Sequence, residues 1–243
     1  MRRITFFLVL VLLAAGCKSA RDDTRFFDEV GALSKEEILE KGDALAAAKK
    51  REEARRYYTF LADAFPNDPV GRQAALKVAE TFFADKTVEG LTEAQLRFRD
   101  FSNRYPNDPN RPYALLMLGK CSLSQSRGPM RDLAPVREAV ASFKQVVEQF
   151  PNSPFAAEAR ELLRSSQETL AEHEYLVARY YFNLKAFDGA RMRIEYLLAN
   201  FPESAAAGKG KALLAEIEAA LSSAAAPAGA QSGTTAPAAG GNR

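Results

Sequence analysis

The stretch FPNDP, Phe65 to Pro69, is nearly repeated three times along the chain: YPNDP at Tyr105 to Pro109, FPNSP at Phe150 to Pro154 and FPES at Phe201 to Ser204. Proline disfavours helix at the residue before it and lacks the donor to continue a helical turn. Asn67, Asp68 or Ser153 then supplies turn or cap oxygens, and a following proline suits the first position of a new helix. Each phrase therefore closes one helix and opens the next.

Counting outward from the prolines fixes what is repeated. Twelve residues before Pro66, Pro106, Pro151 and Pro202 stand Ala54, Ala94, Ala139 and Ala190, and four residues after each alanine comes Tyr58, Phe98, Phe143 or Ile194. Small residues belong where two antiparallel helices cross closely, with a large apolar side chain beside the crossing. Alanine, three residues, an aromatic and then proline is the second half of the tetratricopeptide (TPR) pattern. The first half precedes it without insertion in two places, as Gly42-x2-Leu45 and Ala178-x2-Tyr181. Ala79-x2-Phe82 fits with a loop about three residues longer around Lys86 to Leu91, and Leu118-Gly119 fits with eight extra residues in SQSRGPMRDLAP. From Pro154 to Lys185 no breaker occurs, and Phe155, Ala159, Leu162, Ser166, Leu170, His173, Val177 and Tyr181 recur at spacings of three and four. That predicts one helix of about 45 Å at ~1.5 Å per residue. A last helix starts at Ala205. The expected fold is all-α, a right-handed solenoid of TPR helix hairpins with four full repeats and a half repeat over residues 34–221.

The ends read differently. MRRITFFLVLVLLAAG, residues 1–16, has two arginines, an apolar run and small residues, which is the layout of a secretory signal peptide. Its removal takes Arg2 and Arg3 from 33 basic residues and leaves the chain balanced against its 31 acidic ones. A near-neutral chain argues against nucleic acid as a partner. Cys17 follows directly, in LLAAGC. This resembles a bacterial lipobox, with Ala14 where leucine is usual, and it implies a cysteine acylated at the mature N-terminus. More than one acyl chain is needed for stable attachment, so the expectation is membrane anchoring through a covalent lipid on Cys17, with residues 17–33 as lipidated N-terminus and tether. Lys18 in place of aspartate implies the outer membrane, facing the periplasm. The 22 residues from Ser222 contain no large apolar side chain, and 222–243 is expected to be a disordered Ala/Pro/Gly-rich tail.

Chemistry is sparsely supplied. His173 is the sole histidine, and with Cys17 assigned to lipid only Cys121 remains, so no disulfide and no metal site is expected. Glu168 and Glu172 are spaced like paired carboxylates but read as solvated face charges. No phosphate-binding glycine loop or nucleophile elbow occurs. The expectation is a non-enzyme without cofactor, whose helix pairs offer a long surface to peptides or domains. Of the aromatics, most are core by type, while Tyr57, Phe83 and Tyr113 are candidates to line a groove.

The segment RDLAPVREAVASFKQVVEQFPNSPFAAEARELLRSSQETLAEHEYLVARYY, Arg131 to Tyr181, continued by FNLKAFDGARMRIEYLLANFP, closely resembles the third and fourth repeats of the BamD family of outer-membrane protein assembly lipoproteins. The resemblance is most specific from Arg131 to Pro202. After Ser204 the family completes a fifth helix pair, where this chain has its low-complexity tail. It implies a non-enzymatic partner of the BamA insertase, holding that protein's periplasmic domains with the C-terminal repeats and receiving unfolded outer-membrane β-barrel proteins near the N-terminal ones. Arg193 and Tyr180 are then the candidate BamA-facing residues, and Arg193 has no acid three or four residues away to occupy its guanidinium. A periplasmic TPR scaffold of the Tol-Pal cell-division coordinator type uses similar FPNSPFAAEA phrases and is the alternative.

Overall fold

The proline phrases act as the punctuation that the sequence predicts. In the computed structural model, which describes residues 24–225, the helices are α1 (24–31), α2 (Lys35–Ala47), α3 (Arg51–Ala64), α4 (Pro69–Asp85), α5 (Val88–Arg104), α6 (Arg111–Ser124), α7 (Ala134–Gln149), α8 (Ala156–Asn183), α9 (Phe187–Asn200) and α10 (Ala205–Ala225). Phe65, Tyr105 and Phe201 leave their helices with φ near −130° and ψ of 52°, 66° and 51°, the extended bias that a following proline imposes. The same bond closes all four turns: the N–H of Asp68, Asp108, Ser153 and Ser204 donates to the aromatic carbonyl three residues earlier, at 3.0 to 3.1 Å. The side-chain oxygens of Asp68, Asp108 and Ser153 then accept from the backbone N–H two residues on, at 2.9, 2.8 and 3.1 Å. Ser204 accepts from Ala207 N–H.

The repeated alanines and aromatics are the core. Ala54, Ala94, Ala139 and Ala190 are fully buried, as are Phe98, Phe143 and Ile194, with Tyr58 nearly so. Gly42 and Gly119 sit against the rings of Tyr58 and Phe143 so closely that an added Cβ would lie 2.5 and 2.4 Å from a ring carbon. The chain forms two compact units, residues 24–125 with 141–160 and residues 126–140 with 161–225. In the first, Val30, Ile38, Tyr57, Tyr58, Leu61 and Val78 share a core; in the second, Ala178, Ile194, Leu197, Leu213 and Ile217 do.

Three expectations are corrected. Residues 24–31, read as part of the tether, are helical, and Val30 and Phe26 join the first core. Helix α1 is amphipathic over too few residues to stand out between charges, and its stability comes from packing rather than from its own pattern. The long loop around Lys86 to Leu91 is absent: only Lys86 and Thr87 separate α4 from α5, and the extra residues lengthen both helices to 17. Lys86 takes the left-handed conformation (φ 55°), as do Lys49 (φ 63°) and Lys185 (φ 60°) at the other tight hairpin turns. At the latter two the backbone closes as a Schellman motif, Lys50 N–H donating to Leu45 and Ala186 N–H to Tyr181. The last helix also runs beyond Leu221, to Ala225. Helix α8 is continuous through Ser165. The expected signal peptide, Cys17 and nearly all of the expected tail lie outside the described residues.

Candidate partner-binding surfaces

In the first unit the leading helix of each hairpin is tied to the next by a polar contact. Asp43 on α2 pairs with Lys77 on α4 at 2.9 Å and accepts from the Tyr58 hydroxyl at 2.6 Å. The Tyr113 hydroxyl on α6 donates to Glu80 on α4 at 2.7 Å, and Lys120 on α6 pairs with Glu158 on α8 at 2.9 Å. Burial and then the Glu80 carboxylate push the Tyr113 hydroxyl above its ordinary pKa, so it remains a donor. Asp43, Tyr58, Lys77 and Glu80 line a polar recess of about 360 Å³. Tyr113 itself does not line that recess but bonds to Glu80, which does, and its ring lies between Phe98 and Phe155. Phe83 is half-buried on α4. Tyr57 does not line a groove: it is buried beneath α1, its ring 5.1 Å from Phe26 and its hydroxyl donating to Glu29 at 3.0 Å. Tyr57 is thus covered by a helix formed by residues expected as tether.

In the second unit Tyr180 on α8 and Leu184 in the turn just after it stand exposed, and so do Met192 and Tyr196, one turn apart on α9. Arg193 is not free. Its Nη1 donates to Glu174 Oε2 at 3.1 Å across the hairpin, with the Arg193 side chain 45% and the Glu174 side chain 11% exposed. Arg193 therefore serves the fold as well, its partner standing nineteen residues back on α8 rather than on α9. Arg191 is held by Asp188 and Glu195, as its helix spacing suggests.

Glu168 and Glu172, expected to be solvated face charges, instead hold α10. Both Glu168 oxygens accept from the first backbone N–H groups of α10, Ala205 at 3.0 Å and Ala206 at 3.1 Å, and Glu172 pairs with Lys209 at 3.0 Å. A carboxylate at a helix N-terminus satisfies orphan donors and faces the positive end of the helix dipole. Glu168→Ala is accordingly expected to destabilise the second unit by about 1 kcal/mol, in the range of a lost N-cap, with Glu168→Gln losing less. Urea unfolding followed by circular dichroism measures both, and equal midpoints for wild type and Glu168→Ala would refute the cap. His173 Nδ1 lies 2.6 Å from the Pro129 carbonyl, joining α8 to the loop before α7. Cys121 is fully buried, and burial pushes its thiol up to about 12, which keeps it protonated and unreactive at neutral pH. Among the described residues no cluster of metal-ligating side chains occurs, and no helix is long and apolar enough to cross a membrane.

Buried alanines facing aromatics, turns closed by proline, and helix hairpins in series define a TPR-type interaction scaffold. The profile of the family described as YfiO, outer membrane lipoprotein, matches residues 32–232, and the chain belongs to that family. The outer membrane protein assembly factor BamD of Haemophilus influenzae is 26% identical over 219 residues, 86% of this chain and 80% of its own length. BamD of Vibrio cholerae is 25% identical over 213 residues, 83% of this chain and 84% of its own. Among solved structures, a thermophilic TPR protein of Thermus thermophilus aligns with a TM-score of 0.39 at 16% identity, covering 77% of this chain and 99% of that one.

Proposed function

We propose that this chain is a non-catalytic subunit of the outer-membrane β-barrel assembly machinery. In this reading it is anchored by a lipid on Cys17 to the periplasmic face of the outer membrane, binds the periplasmic domains of a BamA-type insertase and receives unfolded barrel proteins. The observation that carries the reading is the family match across residues 32–232, which takes in both units rather than one repeat. The exposed side chains of α8 and α9 around Arg193 and Tyr180 are the insertase-binding surface. The polar recess lined by α2, α3 and α4, with Tyr113 of α6 bonded to its Glu80, is the substrate-facing one, since its hydrogen-bonding groups suit the open backbone of an extended strand.

Arg193→Leu tests the surface. Removing the guanidinium leaves the nearly buried Glu174 carboxylate unpaired, which costs several kcal/mol at a fully buried site and about 1–2 kcal/mol for a half-exposed arginine. Replacing Glu174 by leucine as well is expected to restore most of that stability. Binding to the insertase's purified periplasmic domains is expected to fall by ~1 kcal/mol or more in both variants and to be unchanged in Arg191→Leu. Binding that recovers with stability in the double variant would limit Arg193 to a structural part.

A further inference from the structure

Another opening in the first unit is lined by aromatic rings rather than by polar groups. Phe26 and Phe27 of α1, Phe60 of α3 and Phe82 of α4 line a groove of about 800 Å³. The rings of Phe26 and Phe60 meet edge-on at 6.1 Å, and Phe27, 60% exposed, stands at 5.6 Å from Phe26 and 6.5 Å from Phe60. Glu52, Arg55 and Arg56 line this groove and also a second recess formed with Lys49, Lys50, Arg51, Glu53 and Asp85, so the two are continuous.

That rim carries an excess of positive charge. Arg51 and Arg55 share the single carboxylate of Asp85, at 3.8 and 2.6 Å. Lys50 pairs with Glu53, while Lys49, exposed and fixed in the left-handed conformation of the hairpin turn, pairs with no acid among the described residues. The Arg56 guanidinium covers the Phe26 ring at 4.6 Å and that of Arg55 the Phe82 ring at 4.3 Å. Cations at the mouth of an aromatic slot are the pattern by which a protein meets an anionic bilayer: the basic groups reach phosphate and the aromatic side chains enter the acyl boundary.

Position favours that occupant over a soluble one. Seven peptide steps separate Cys17 from Thr24, so they span at most ~25 Å, and α1 begins there. A lipid on Cys17 would hold Phe27 and the basic rim beside the membrane throughout the protein's life.

We propose that the face formed by α1 and the α2–α3 turn rests on the inner leaflet of the outer membrane, with Lys49, Lys50 and the neighbouring arginines on the phosphates of an anionic phospholipid and Phe27 in its acyl layer. This rests on the lipid-anchor reading of Cys17, and it distinguishes an orienting contact from the anchor itself. The test uses the mature chain with Cys17→Ser, which carries no lipid, in flotation with vesicles of phosphatidylcholine alone and of phosphatidylcholine with phosphatidylglycerol. Binding to the phosphatidylglycerol vesicles, weakened by salt and weak on phosphatidylcholine alone, is expected. Replacing both Lys49 and Lys50 by glutamine is expected to lower it roughly tenfold or more, and Phe27→Ser severalfold, with helicity unchanged in each. Equal binding to both vesicle types, or variants that bind like the parent, overturns the proposal. Absence of vesicle binding while a fluorescent, aromatic-ending unfolded barrel segment enters the groove and is lost with Phe27→Ser overturns it in favour of a peptide site. Neither result depends on the insertase, so the vesicle test and the assembly reading fail separately.

Discussion

Leu170→Pro is expected to cost ~3 kcal/mol or more and to remove helicity well beyond one turn. Position 170 lies near the middle of the 28-residue helix α8. A proline there removes the amide that bonds to the Ser166 carbonyl, and its ring collides with that carbonyl. The damage spreads through side chains that the helix holds in register: Ala171 is fully buried, Glu168 caps α10, and Glu174 secures Arg193. Chemical unfolding monitored by circular dichroism should therefore show a lower midpoint, or a separate early transition of the second unit. An unchanged midpoint and unchanged helicity would mean that α8 is two helices with a natural break.

Gly71→Ala is expected to destabilise the first unit by about 2–3 kcal/mol, the scale of severe overpacking, although alanine is the better helix former by up to ~1 kcal/mol. Gly71 lies in the first turn of α4, where the chain folds back over the preceding turn. A Cβ there would lie 1.9 Å from the Phe65 carbonyl oxygen and 2.7 Å from its carbon. These are backbone atoms, and they belong to the turn that closes α3, so relief requires moving one helix against the other. Gly208 on α10 is the matched control: an added Cβ meets nothing within 4 Å, so Gly208→Ala is expected to stabilise by up to ~1 kcal/mol. Opposite signs for the two substitutions, read from denaturation midpoints, support the close approach of α4 to the α3 turn. A stabilising Gly71→Ala would contradict it.

The contrast between these glycines shows which parts of the fold the sequence discloses. The four proline phrases and the alanine twelve residues before each were sufficient for the helix ends and the crossing points, because turn chemistry and small-residue packing are written in consecutive residues. Gly42 and Gly119 were visible for the same reason. The short α4–α5 turn was not, since three additional residues can enter a loop or lengthen the helices, and the left-handed Lys86 carries no glycine or asparagine to mark it. Helix α1 escaped notice because Phe26 and Val30 gain their partners Tyr57 and Tyr58 only after the chain folds back. The same limit governed the candidate interface. Arg193 appeared unoccupied because helix spacing compares residues three and four apart, whereas Glu174 is supplied by the facing helix; Glu168 appeared solvated because the N–H groups that it caps lie 37 and 38 residues on. The exposure of Tyr180 follows from its place about 160° around α8 from the buried Ala178, at ~100° per residue, a distinction that periodicity supplies only once the buried stripe is known.

Affinity purification of the tagged chain from detergent-extracted outer membranes of its own organism tests the assembly reading most directly. A BamA-type insertase is expected to co-purify at comparable abundance and to be depleted from the eluate of the Arg193→Leu, Glu174→Leu double variant. A folded, membrane-associated protein that brings down Tol-Pal components, or no insertase at all, would contradict it.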